Sequence, residues 1–84
     1  MKTFKKRFDS CIDRYNKIFC DDKIKKPTVD VMREISKTHF GNQKISDVYY
    51  KMSDGPNVRN YDNITSEELQ NFENALDDLE SRYG

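Results

Sequence analysis

The chain has 84 residues, 36% of them charged and 35% hydrophobic, with no Trp and a formal net charge of zero. A chain of this length makes one domain, 1–84, and buries only about 60% of the surface its unfolded form exposes. A deep ligand pocket would consume much of that core, so an enzyme is not expected. No apolar run approaches the roughly 20 residues that span a bilayer, and the basic start MKTFKKRF leads into an amphipathic segment rather than an apolar signal core. These features predict a cytoplasmic protein, in a host's cytoplasm if it is viral, with no membrane partner.

The first helix is predicted over about residues 3–20. Phe4, Phe8, Cys11, Ile12, Tyr15, Ile18 and Phe19 recur along one stripe, while Lys5, Lys6, Asp9, Asp13, Arg14 and Lys17 occupy the other side. Cys11 and Cys20 lie about 13.5 Å apart along such a helix, beyond the roughly 7 Å Cα separation that a disulfide tolerates. Free thiols are therefore expected. With His39 the sole histidine and no Cys-x-x-Cys pair, no metal site is expected either.

Residues 21–27, DDKIKKP, read as a linker, because Pro27 disfavours a helical conformation at Lys26. Thr28 is placed to cap a second helix over about 28–40, with Val29, Met32, Ile35 and Phe40 pointing inward. A third helix is predicted over about 42–53, with Ile45, Val48, Tyr49 and Met52 inward. Between the two, Gly41 can adopt the left-handed conformation that ends a helix, and Asn42 can accept a backbone hydrogen bond at the start of the next. The stretch from Met32 to Met52 thus reads as two amphipathic helices joined by a tight turn.

Ser53 to Asn63, SDGPNVRNYDN, is the one long irregular stretch. Asp54, Gly55 and Pro56 punctuate a turn, Val58 and Tyr61 are expected to pin the segment to the core, and it has room for a short fifth helical turn. The last helix is predicted over about 64–82. Thr65 and Glu68 form a capping box, and Ile64 and Leu69 a hydrophobic staple. Leu69, Phe72, Ala75, Leu76, Leu79 and Tyr83 then run along one face, with Glu67, Glu73, Asp77, Asp78 and Glu80 outside. The fold class is all-α, a small bundle of four to five helices containing a helix-turn-helix-like pair.

Nothing in this pattern assembles a catalytic group. Gly41, Gly55 and Gly84 are isolated, so there is no phosphate-cradling loop. The acidic pairs Glu67–Glu68 and Asp77–Asp78 are adjacent in sequence and diverge on a helix. His39 is expected to cap or pack the turn. No catalytic residue and no cofactor is assigned.

The zero net charge conceals an asymmetry. From Met1 to Lys51 there are 13 Lys and Arg against 7 Asp and Glu, a balance of +6; from Met52 to Gly84 there are 2 against 8, a balance of −6. Such a chain can bind a polyanion through its basic half, or its halves can neutralise each other within the fold.

The segments MREISKTHFGNQKISDVYYKMSDG and EELQNFENAL resemble the helix-turn-helix and the following helix of phage-repressor and Cro-type regulators. With Phe4 to Cys20 taken as the family's first helix, the resemblance covers about two-thirds of the chain. Ser36 and Phe40 stand where that family usually has Ala and Gly, and Gly41 follows one residue later. It implies a non-catalytic transcription regulator that reads duplex DNA, as a homodimer where it spans two half-sites. The candidate readers are Asn42, Gln43 and Lys44, which opens the second helix of the pair in this reading, with Ser46, Asp47 and Tyr50 on its outward side. Arg33, Lys37 and Lys51, with Lys25 and Lys26, are the candidate phosphate contacts. An alternative from the residues alone is a small phage- or plasmid-like inhibitor or adaptor that covers a host protein. Its interface would be Tyr49, Tyr50, Tyr61 and the acidic residues Glu73, Asp77 and Glu80.

Overall fold

The computed structural model describes residues 3–20, 22–23, 25–54 and 58–83. The described residues form an all-α bundle of four helices, α1 (Phe4–Cys20), α2 (Val29–Phe40), α3 (Ile45–Met52) and α4 (Ser66–Tyr83), with one 3-10 turn at Tyr61–Asn63 before the last. Gly55 and Pro56, expected to form a turn, and Gly84 lie outside the described residues.

Each helix start has an identifiable cause. Thr3 Oγ1 accepts from Lys6 N at 3.2 Å, and Thr28 Oγ1 from Val31 N at 3.2 Å. The predicted capping box at α4 is reciprocal: Glu68 N donates to Thr65 Oγ1 and Thr65 N donates to Glu68 Oε1, both at 3.1 Å. Ile64 and Leu69, the staple pair, are both buried.

The core is built from all four helices. Phe8, Cys11, Ile12 and Ile18 come from α1, Ile35 from α2, and Ile45, Val48 and Met52 from α3; Leu69, Phe72, Ala75, Leu76 and Leu79 come from α4. α4 packs against both α1 and α2, while α3 packs against α2 and the 3-10 turn. A stacked pair joins α1 to α3: the rings of Tyr15 and Tyr49 lie 4.2 Å apart at 18°, and Tyr49 Oη donates to Asn16 Oδ1 at 2.7 Å. Phe72 meets Tyr15 on one side and Phe40 on the other, with ring centroids at 5.9 and 6.1 Å.

Two apolar residues depart from the expected pattern. Val29 is 67% exposed rather than inward, because it occupies the first position of α2, in line with the outward residues Arg33 and Lys37. Val58 is 46% exposed and does not pin the irregular segment. Polar contacts hold that segment instead. Asn60 N donates to Met52 O at 2.8 Å, Asn63 Nδ2 to Lys51 O at 3.0 Å, and Tyr61, packed 4.7 Å from Phe8, donates through Oη to Asp9 Oδ1 at 2.8 Å.

Candidate nucleic-acid interface

A groove of about 610 Å³ runs between α2 and the connection that leads into α3. Pro27, Val29, Met32, Arg33 and Lys37 line it from the α2 side, and residues 41 to 46 close the other. Arg33 and Lys37 are one turn apart on α2, about 6 Å along its axis.

The connection is longer than the sequence pattern suggests, residues 41 to 44 rather than Gly41 alone, and it shortens the second helix of the pair. Gly41 has the expected positive φ, 66°, but its ψ of −107° is not that of the left-handed helical conformation; it is the mirror image of an extended backbone, open to Gly alone among the ordinary residues. Gln43 N donates to Phe40 O at 3.3 Å, so Asn42 and Gln43 belong to the turn rather than to a helix. Lys44 is the N-cap of α3, its side chain makes no capping bond, and the helix begins at Ile45. The cap comes from α2. Ser36 Oγ, on a buried residue, accepts from Ile45 N at 3.0 Å and fills a vacancy at the start of α3 that neither Lys44 nor Asn42 fills.

The sequence-predicted readers therefore sit on two kinds of backbone. Asn42, Gln43 and Lys44 are exposed on the turn; Ser46 is half-buried and Asp47 exposed in the first turn of α3; Tyr50 is 65% exposed one turn further on. Asp47 needs no ligand to explain it, since a carboxylate in the first turn is favoured by the helix dipole. Lys51 is not outward: it is half-buried, and its Nζ lies 2.8 Å from Glu68 Oε2 on α4. Lys25 is exposed before α2, and Lys26 Nζ donates to Ile18 O at 3.3 Å.

The fold largely disposes of the acidic helix within itself. Arg7 pairs with Glu73, and Arg14 pairs with Glu80 and with Asp77, the latter at 2.6 Å. His39 Nε2 lies 3.2 Å from Asp78 Oδ2, and Arg82 joins Asp78 at 2.9 Å to Glu34 at 3.1 Å. Glu68 is held below the usual carboxylate range by the hydrogen bond from Lys51, against a smaller opposing effect of burial. Asp78 is lowered first by Arg82 and then by His39. By contrast, Arg33, Lys37 and Lys44 make no ion pair among the described residues, and all three line the groove.

Of the alternative protein-facing residues, Tyr49 and Tyr61 commit their hydroxyls to Asn16 and Asp9, and Glu73, Asp77 and Glu80 are paired as above. Tyr50 alone of that set is an exposed aromatic.

Among the described residues no three His, Cys, Asp or Glu converge as a metal site, and no helix is long and apolar enough to cross a membrane. Cys11 is buried and Cys20 exposed, both as free thiols.

The chain matches no protein family, no curated protein and no solved structure. What the site can do must therefore be read from its own residues. Two of those depart from what helical spacing predicts. Ser36 carries no local cap signature, since the residue it caps is nine positions away. Val29 is outward, as Arg33 and Lys37, four and eight residues on, mark its line of the helix.

Proposed function

We propose that this protein is a non-catalytic DNA-binding regulator that engages duplex DNA through α2, the turn and the start of α3. One observation carries the reading: of the cations that make no ion pair among the described residues, three, Arg33, Lys37 and Lys44, line one groove with Asn42 and Gln43. Lys and Arg without internal partners release counterions when they meet phosphates, which is the main source of affinity for a duplex. Asn and Gln side chains beside them can read adenine. The pairing of α4 with Arg7, Arg14 and Lys51 supports the same reading, because it removes the repulsion that an acidic helix would otherwise exert on DNA. Paired carboxylates also offer less to a protein partner, which favours DNA over the inhibitor or adaptor alternative. A regulator of this kind acts in the cytoplasm, needs no cofactor, and as a homodimer spans two half-sites about 34 Å apart.

The test is fluorescence anisotropy of the full chain with mixed-sequence duplex DNA across a salt series. Three phosphate contacts predict a logarithmic slope of about −3. Charge reversal at Lys37 or Lys44 should weaken binding on all sequences and reduce that slope by about 1 per residue, with the helical spectrum unchanged. Absence of binding at low salt overturns the proposal.

A further inference from the structure

Val29 is the most exposed large apolar side chain among the described residues, and the fold gives it nothing to cover it. It lines the groove with Pro27 and the half-buried Met32, across from the turn that carries Asn42 and Gln43. Pro27, Val29 and Met32 give one side of the groove an apolar lining, while Asn42 and Gln43, with Arg33, Lys37 and Lys44, add amide and cationic side chains to the same lining.

Resting on the DNA reading above, we infer that this groove selects A·T base pairs, with Val29 and Met32 against the thymine methyl group and Asn42 or Gln43 on the adenine edge. The chemistry is specific to that pair. In the major groove thymine is the base that presents a methyl group, and the adenine beside it presents the N7 acceptor and N6 donor that a carboxamide matches with two hydrogen bonds. A G·C pair offers no methyl to Val29 and would place the cytosine amino group near an apolar wall. The positive charge of the groove supplies the complementarity that holds the duplex there, while carrying no base preference of its own.

The measurement is anisotropy at one fixed low salt concentration with three 20-base-pair duplexes: alternating A·T, the same duplex with uracil in place of thymine, and alternating G·C. Uracil lacks the methyl group and leaves the hydrogen-bonding edges intact, so the wild-type chain should bind the A·U duplex about four-fold more weakly, the effect of one methyl group left in water. The G·C duplex should bind about ten-fold more weakly than A·T. Val29→Thr, an exposed substitution of nearly equal shape, should bind A·T more weakly and lose most of the difference between A·T and A·U. Equal binding of A·T and A·U by the wild type overturns the inference while leaving the DNA reading intact. An undiminished difference in Val29→Thr and in Met32→Gln overturns the assignment to these side chains. Absence of binding to all three duplexes overturns the DNA reading and the inference with it.

Discussion

Ser36 on α2 caps α3: its Oγ accepts from Ile45 N at 3.0 Å, on residues that are 8% and 1% exposed. One side chain therefore sets both the start of α3 and its position relative to α2. Ser36→Ala should cost about 1 to 2 kcal/mol, as loss of a helix cap and exposure of an unpaired buried donor do. For a domain of this size that lowers the melting temperature by about 4 to 16 °C, as thermal unfolding followed by circular dichroism would register. A melting temperature equal to wild type would show that water replaces the hydroxyl without loss.

Gly41 lies between these two residues, and no atom stands within 4 Å of where a Cβ would be. The cost of Gly41→Ala is therefore conformational, about 1 to 2 kcal/mol for a non-glycine residue at positive φ. A chemically synthesised chain with D-alanine at 41 should be at least as stable as wild type, because φ 66° and ψ −107° mirror an extended L-backbone. Urea denaturation of the two variants separates strain from any steric effect.

The thiols differ in reactivity for a physical reason. Burial pushes Cys11 up to about 12, aided by the nearby carboxylate of Glu73, so at pH 8 it stays protonated and covered. A thiol-reactive dye should label the folded chain once, at Cys20, and a second time only in denaturant. Rapid double labelling without denaturant would show that α1 opens locally.

Acid stability depends on the carboxylates that α4 shares with its neighbours. Lys51 lowers Glu68, and Arg82 and His39 lower Asp78. In the unfolded chain both titrate near pH 4, so their contribution is complete above that range and is lost as the pH falls through it to the lowered folded values. The urea midpoint should therefore fall between pH 5 and about pH 3, and Lys51→Met should fall less over the same interval because Glu68 no longer has that partner. An identical acid decline in the variant would assign the effect to other groups.

The helices themselves were legible from local chemistry. The stripe from Phe8 to Ile18, the box of Thr65 and Glu68 and the run from Leu69 to Leu79 rest on spacings of three and four residues, which the helical period converts directly into faces. The free thiols were legible for the same reason. What only the tertiary structure decided is how those faces spend their charge. That Arg7 meets Glu73 and Lys51 meets Glu68, leaving Arg33, Lys37 and Lys44 together on one groove, depends on contacts between residues as far as 66 positions apart. The start of α3 was decided in the same way, by a serine on another helix rather than by Asn42 beside it. A helical period records which way a side chain points, while its partner is chosen by packing that no local spacing encodes.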